Sequence, residues 1–123
     1  MGKKILVIDD EPELVKAVEV RLKASGYEVE VAYDGLSGIE KAKAVKPNLI
    51  LLDIVMPEMD GYGVCKKLMA DPETEGIQII IFTASQQRDL EAKCRELGIT
   101  DFIKKPFETK NLLNVVNEIL KRE

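Results

Sequence analysis

The sequence predicts an α/β fold in which helices cover both faces of a parallel β-sheet. Short apolar runs alternate five times with amphipathic stretches along the 123 residues, and this alternation is typical of parallel sheets. Three of the runs are almost continuous in Ile, Leu and Val, which indicates strands buried on both faces. The length suits one domain with its own apolar core, so we expect a single domain over residues 1–123.

The apolar runs predict strands over residues 4–8, 28–32, 49–52, 78–82 and 101–103. The second run alternates charged and apolar residues, which indicates an edge strand with one face in water. The last run is short and mixed, so we place it at the opposite edge of the sheet.

The amphipathic stretches predict helices over residues 12–24, 36–45, 62–70, 88–97 and 109–121. Pro12 suits a first helical turn, because a backbone N–H at that position has no acceptor within the helix and its absence in proline costs nothing. Gly26 and Gly98 stand where a residue of left-handed conformation commonly ends a helix. On the first helix the spacing predicts an inward face formed by Leu14, Ala17, Val18 and Leu22.

The composition excludes several classes of function. The formal net charge is −4 and no basic cluster is present, so we expect no direct binding to nucleic acid. The apolar runs are far shorter than the ~20 residues that span a bilayer, and the N-terminus lacks the pattern of a signal peptide. We therefore expect no membrane partner and a cytoplasmic location. Cys65 and Cys94 lack CxxC spacing and are expected to be reduced thiols.

The chain has no histidine, which excludes Ser-His-Asp and Cys-His catalysis and histidine metal ligands. Any chemistry must come from carboxylates, Lys, Thr, Ser and backbone groups. Such groups follow four of the predicted strands. Because the carboxyl ends of parallel strands lie at one edge of a sheet, we expect these side chains in one pocket. They are Asp9, Asp10, Glu11, Asp53, Thr83 and Lys105.

The residue types in this pocket suit metal-assisted phosphoryl transfer. Clustered carboxylates repel one another unless a cation joins them, and oxygen ligands favour Mg²⁺ or Mn²⁺. Asp53 could act as a nucleophile toward phosphorus, while Lys105 and Thr83 would hold the remaining phosphoryl oxygens. Taken singly, an Asp at a strand end is most often a helix cap or turn residue.

Four segments of the chain resemble the receiver domain of response regulators. They are ILVIDDEP at 5–12, LLDIVMPEMDG at 51–61, FTA at 82–84 and FIKKPF at 102–107. The match extends from the first strand to the last helix. The resemblance, which is to stand-alone receivers of the chemotaxis-regulator kind, implies a flavodoxin-like sheet of strand order 2-1-3-4-5 flanked by five helices.

The resemblance also implies a role for each site residue. Asp53 would be the phosphoacceptor, and Lys105 would pair with it or with its phosphate. Mg²⁺ would be bound directly by Asp10, by Asp53 and by the backbone carbonyl of Val55, and indirectly, through water, by Asp9.

Further positions match residues that respond to the phosphate. Thr83 matches a hydroxyl that moves to the phosphoryl group, and Phe102 matches an aromatic switch that turns inward with it. Phe102 also has a plainer interpretation as a core residue. Val55 and Ser85 occupy positions that tune the lifetime of the phosphate in this family.

The implied function is that of a two-component response regulator in a phosphorelay. The phosphoryl group would come from a phosphohistidine on a sensor histidine kinase or a histidine phosphotransfer protein. Apart from its own phosphorylation and slow autodephosphorylation we expect no enzymatic activity. Because no effector domain follows Glu123 in this sequence, output is expected by contact with an unknown protein target, unless the chain is part of a larger regulator. Val15 and Val20 are candidates for docking the kinase, although scattered exposed apolar residues are also normal.

Three other functions compete with this one. An aspartate-nucleophile phosphatase commonly has a second Asp two residues after the nucleophile, where this chain has Val55. A nucleotide- or flavin-binding module would need a glycine-rich phosphate loop, which the sequence lacks. A receiver-like module that binds partners without phosphorylation stays open as the alternative.

Overall fold

Five parallel strands and five helices alternate along residues 2–84 and 86–122, which are the residues that the computed structural model describes. The strands are β1 Lys4–Ile8, β2 Glu28–Ala32, β3 Leu49–Asp53, β4 Gln78–Thr83 and β5 Asp101–Lys104. The helices are α1 Pro12–Ala24, α2 Gly35–Val45, α3 Gly61–Ala70, α4 Arg88–Glu96 and α5 Thr109–Lys121. The predicted α/β class is confirmed.

The strands form one sheet of order β2-β1-β3-β4-β5, as the resemblance implied. Every adjacent pair is parallel. The alternating run forms the β2 edge and the short run forms the β5 edge, as predicted. The central strands β1, β3 and β4 are almost completely buried, because helices cover both of their faces.

Three strands extend one residue beyond their predicted ends. Asp53 pairs with Phe82, and Thr83 pairs with Lys104. The pairing continues into these polar positions because the backbone can hydrogen-bond there whatever the side chain. As a result, Asp53 and Thr83 are fixed by the sheet itself rather than by mobile loops.

Two helices begin one residue earlier than predicted, at Gly35 and Gly61. The carboxylates of Asp34 and Asp60 accept hydrogen bonds from backbone N–H groups in the first turns of α2 and α3, the usual role of Asp before a helix. Helix α4 ends one residue earlier, at Glu96.

Two apolar clusters lie on opposite faces of the sheet. Leu6 and Ile8 of β1 face the cluster beneath α2, α3 and α4, whereas Ile5 and Val7 face the cluster beneath α1 and α5. This division follows from the alternation of side chains along a strand. Cys65 and Cys94 are buried, free thiols. Within the described residues, each helix is too short or too polar to span a bilayer.

The inward face of α1 differs from the prediction. Val15, Val18 and Leu22 are buried, while Ala17 is exposed and Leu14 is only partly buried. At about 100° per residue, the buried three lie within an arc of about 60°, position 14 lies about 40° beyond one edge of that arc, and position 17 lies about 100° beyond the same edge. The helix therefore turns the larger Val15, rather than Ala17, toward the sheet.

The burial of Val15 predicts a large difference between two substitutions on α1. Val15 is 0% exposed and Val20 is 55% exposed. Val15→Glu places an unpaired carboxylate in the core and is expected to lower the free energy of unfolding by about 3 kcal/mol or more. Val20→Glu is expected to change it by less than ~0.5 kcal/mol. Urea denaturation measures both, and equal losses would contradict this orientation of α1.

Candidate functional site

The predicted site residues meet in an open groove at the carboxyl edge of the sheet. The groove has a volume of about 470 Å³. Asp9 directly follows β1, and its backbone N–H donates to the carbonyl oxygen of Ala32 at 3.1 Å. Asp53 is the last residue of β3. Side chains from four strand ends line the groove, among them Asp10, Glu11, Asp53, Thr83 and Lys105.

The ammonium group of Lys105 joins three carboxylates. Its Nζ lies 3.0 Å from Oδ2 of Asp9, 2.7 Å from Oε1 of Glu11 and 3.3 Å from Oδ2 of Asp53. The backbone N–H of Lys105 donates to the carbonyl oxygen of Thr83 at 2.6 Å, which fixes this lysine to the end of β4. Lys105 is therefore held over the acidic residues by both its main chain and its side chain.

Glu11 is a functional candidate that had no individual role in the prediction from sequence. It makes the shortest of the three contacts with Lys105, although 60% of its side chain is exposed. The signal in the sequence is its place in the acidic run that follows β1. An exposed partner of this kind can release Lys105 at little cost.

Backbone N–H groups orient the two buried carboxylates. Oδ1 of Asp9 accepts a hydrogen bond from the N–H of Glu11 at 2.9 Å. Oδ1 of Asp53 accepts one from the N–H of Val55 at 3.3 Å. In each carboxylate the other oxygen is the one that faces Lys105.

The acidic residues also fit a hard metal cation. Carboxylate oxygens of Asp9, Asp10 and Asp53 lie within 4.8 Å of one another. Oxygen ligands suit Mg²⁺ or Mn²⁺, and a cation would relieve the repulsion among like charges. The Val55 residue lines the same groove, while its carbonyl as a metal ligand stays a prediction.

Burial and like charge raise the pKa of two of these acids. Burial, reinforced by the negative charge of Asp9, raises the pKa of Asp53 from 3.8 to about 6, and Lys105 offsets part of this rise. Burial also raises the pKa of Asp9, against the hydrogen bonds from Glu11 and Lys105. Burial lowers the pKa of Lys105, but its hydrogen bonds to Glu11 and Asp9, together with the negative charges of Asp9 and Asp53, outweigh burial and raise it. The lysine therefore stays charged, yet does not fully neutralise the acids.

The two predicted switch residues each contact α4. The hydroxyl of Thr83, which is 1% exposed, donates to Oε2 of Glu91 at 2.9 Å. Phe102 is half-buried, and the guanidinium carbon of Arg95 lies 4.5 Å from its ring centre. Phe102 is thus not a fully enclosed core residue. The switching roles themselves stay predictions.

Glu91 was not singled out by sequence reasoning. Helix α4 has a very polar sequence, RDLEAKCRE, and nothing in it distinguishes Glu91 from its exposed neighbours. Only the packing of α4 against the end of β4 shows that this glutamate is buried, at 8% exposure.

The remaining predicted positions are Val55 and Ser85, for the lifetime of the phosphate, and Val15 and Val20, for docking of the kinase. Val55 is 47% exposed beside the groove, and Ser85 lies outside the described residues. The prediction that Val15 docks the kinase was wrong, because Val15 lies on the inner face of α1 and is 0% exposed. Val20 is exposed and lines a shallow groove of about 700 Å³ with Pro12, Lys16, Ala17, Arg21 and Thr109.

Comparison with known proteins agrees with the resemblance found in the sequence. The family model described as the response regulator receiver domain matches residues 5–117. The DNA-binding dual master transcriptional regulator RpaA of Synechocystis is 35% identical over 119 residues, covering 97% of this chain and 49% of that protein. The chain spans about half the length of this regulator and of two other transcriptional regulators that it matches, and a smaller part of longer relatives.

Solved structures show the same architecture. A response regulator receiver domain protein (CheY-like) from Methanospirillum hungatei has a TM-score of 0.92 at 28% identity, covering 99% of this chain and 96% of that chain. The receiver domain of the sensor histidine kinase PA1611 from Pseudomonas aeruginosa has a TM-score of 0.85 at 27% identity, with coverages of 96% and 97%. The PA1611 structure has a magnesium ion coordinated in its active site cleft.

The raised pKa of Asp53 predicts that the ionised side chain destabilises the metal-free fold. An acid whose pKa is higher in the folded state than in the unfolded state contributes most stability below its unfolded value, and this contribution is lost as the pH rises through the folded value. For Asp53 that window runs from 3.8 to about 6. The free energy of unfolding of Asp53→Asn is therefore expected to be about 1–3 kcal/mol higher than that of wild type at pH 7.

Urea denaturation in the presence of a chelator measures this difference. The advantage of Asp53→Asn over wild type is expected to shrink between pH 7 and pH 4, because wild-type Asp53 becomes protonated. Asp71→Asn serves as a control, since Asp71 pairs with Lys43 far from the groove. An Asp53→Asn variant less stable than wild type at pH 7 would contradict the assigned electrostatics.

Proposed function

The chain belongs to the response regulator receiver domain family, and from this premise we propose that it accepts a phosphoryl group on Asp53 and thereby switches a protein-interaction surface. The donor is a phosphohistidine on a sensor histidine kinase or a histidine phosphotransfer protein. The observation that carries this proposal is the position of Lys105 within 3.3 Å of Asp53, in a groove that also holds Asp9 and Asp10.

The transfer step needs an ionised Asp53. A carboxylate oxygen of Asp53 forms a bond to phosphorus as the phosphorus–nitrogen bond of the donor breaks, and the electron pair of that bond stays with the imidazole. A pKa of about 6 leaves most of Asp53 ionised at neutral pH. Binding of a cation to the cluster would increase the ionised fraction, because it favours the charged form.

Lys105 balances the charge that arrives with the phosphoryl group. Its ammonium already faces Oδ2 of Asp53, so it can contact a phosphoryl oxygen there after a small movement. Release of the exposed Glu11 carboxylate would free one N–H donor of the Lys105 ammonium for this contact. The hydroxyl of Thr83 supplies a further donor when it turns toward the groove.

Mg²⁺ is the proposed cofactor, and Mn²⁺ could replace it. Asp10 and Asp53 would bind it directly with the carbonyl of Val55, and Asp9 would bind it through water. When bound, it supplies positive charge next to the phosphoryl oxygens. The magnesium ion in the PA1611 receiver domain supports this assignment.

The chain carries out this reaction on itself and is not a multiple-turnover enzyme in our proposal. The acyl phosphate is lost slowly by hydrolysis, and Val55 and Ser85 set the rate at which water reaches it. Val55 is suited to such a role because it is apolar and 47% exposed beside the groove. We place the protein in the cytoplasm, where its two free thiols would stay reduced.

The groove along α1 is the proposed contact for the phosphohistidine donor. Val20 provides exposed apolar surface there, and Pro12 brings the groove next to the acidic loop. A partner bound in this position could present its phosphohistidine to Asp53.

Intact mass after incubation with acetyl phosphate tests the acceptor assignment. Wild type is expected to gain one phosphoryl group, ~80 Da, in the presence of Mg²⁺ and none in chelator. Asp53→Asn is expected to gain nothing, and Asp71→Asn, a control at a distant carboxylate, is expected to behave as wild type. Lys105→Met should slow the gain about 100-fold, since it removes the positive charge beside the phosphoryl oxygens.

Absence of any mass gain in wild type would contradict the proposal and favour a receiver-like module that binds partners without phosphorylation. A gain that persists in Asp53→Asn would place the acceptor elsewhere.

A further inference from the structure

We propose that Glu91 and Arg95 of α4 form a latch on the two switch residues, so that a phosphoryl group on Asp53 must compete with Glu91 for the hydroxyl of Thr83. We call these two residues the α4 latch. This inference rests on the proposed acceptor function of Asp53, and it assigns Glu91 a positioning role in that function.

The contact between Thr83 and Glu91 is enclosed. The Thr83 hydroxyl donates to Oε2 of Glu91 at 2.9 Å, and the two residues are 1% and 8% exposed. A hydrogen bond to a carboxylate is stronger than one between neutral groups, and exclusion of water strengthens it further. The same hydroxyl approaches the carbonyl oxygen of Ala84 only at 3.3 Å, so Glu91 is its principal acceptor.

Competition follows from the single proton of the hydroxyl. A threonine hydroxyl has one O–H donor, which cannot serve Glu91 and a phosphoryl oxygen in the groove at full strength together. Thr83 also lines the groove that contains Asp53. The hydroxyl therefore has two acceptors within reach of a side-chain rotation, one on α4 and one on the phosphorylated site.

Arg95 extends the latch to the second switch residue. It lies one turn after Glu91 on α4, with its NH2 nitrogen 3.7 Å from Oε1 of Glu91. Its guanidinium carbon lies 4.5 Å from the ring centre of Phe102, which is cation–π geometry. The two oxygens of Glu91 thus serve different partners, and one continuous set of contacts joins Thr83 on β4, through α4, to Phe102 on β5.

The composition of α4 makes this latch important for the position of the helix. The structure describes the whole of α4, and of its 9 residues Glu91 and Cys94 are buried. Few apolar contacts therefore hold α4 against the sheet. If Thr83 turns away, Glu91 becomes a buried carboxylate without its hydrogen bond, which is unfavourable. Outward movement of Glu91, and of α4 with it, relieves that cost.

Binding of beryllofluoride with Mg²⁺ tests the competition, because this complex mimics a phosphoryl group on a carboxylate. Glu91→Ala removes the competing acceptor and is expected to tighten binding about tenfold, as measured by titration of backbone amide NMR signals. Glu91→Gln keeps a weaker, neutral acceptor and is expected to fall between wild type and Glu91→Ala. Glu96→Ala, at an exposed glutamate of the same helix, is expected to leave the affinity unchanged.

The Thr83→Val background separates a latch from a merely structural role. Without the hydroxyl, Glu91→Ala is expected to change the beryllofluoride affinity by less than about twofold, because the two residues act through one hydrogen bond. A role limited to the stability of α4 would give the same effect with or without the hydroxyl. Persistence of the tenfold effect in Thr83→Val would overturn the latch.

Hydrogen exchange of the α4 amides tests the resting contact without any ligand. Glu91→Ala and Thr83→Val are each expected to speed exchange over residues 88–96, and the double variant no more than either alone. Additive effects would show that no shared hydrogen bond exists and would overturn the latch, even if the Glu91→Ala chain is too unstable to titrate.

The beryllofluoride titration also separates failure of the latch from failure of the acceptor function. If wild type binds beryllofluoride and Glu91→Ala binds it no more tightly, the latch is wrong while the acceptor function stands. If wild type does not bind beryllofluoride at all, the acceptor function fails, and the competition part of the latch is overturned with it.

Discussion

The sharing of one ammonium group by three carboxylates is the constraint on which the site depends. Lys105 lies within 3.3 Å of Asp9, Glu11 and Asp53, and two of these acids are buried. Such an arrangement exists only because parallel strands bring their carboxyl ends to one edge, and because the backbone of Lys105 is bonded to Thr83 at the end of β4. The buried strands thus hold together carboxylates that repel one another and would otherwise move apart.

This charge imbalance connects the fold to its proposed chemistry. One lysine does not neutralise the acids, and the pKa of Asp53 rises to about 6 as a consequence of burial and of its neighbour Asp9. A cation and a phosphoryl group both suit the groove, the first by joining carboxylates and the second by engaging Lys105. The α4 latch would then carry the change away from the groove, since Glu91 holds the Thr83 hydroxyl at 2.9 Å.

The sequence was sufficient for features that depend on local pattern. Alternation at 28–31 and the short run at 101–103 correctly placed the edge strands, and the positions of Asp9, Asp53 and Lys105 after strands correctly predicted one cluster. The sequence was insufficient where tertiary packing decides. The rotation of α1 that buries Val15 depends on its fit to the sheet. Glu91 is buried where α4 packs against the end of β4, and its hydrogen-bond donor, Thr83, belongs to that other element.

Chemical identification of the phosphorylated residue is the most direct test of the account. After incubation with acetyl phosphate and Mg²⁺, borohydride reduces an acyl phosphate of aspartate to homoserine, which peptide mass spectrometry locates in the chain. The account predicts homoserine at position 53, absent when Mg²⁺ is withheld. Homoserine at Asp9 or Asp10 instead, or phosphate on a residue that borohydride does not reduce, would contradict the assignment of Asp53 as the acceptor.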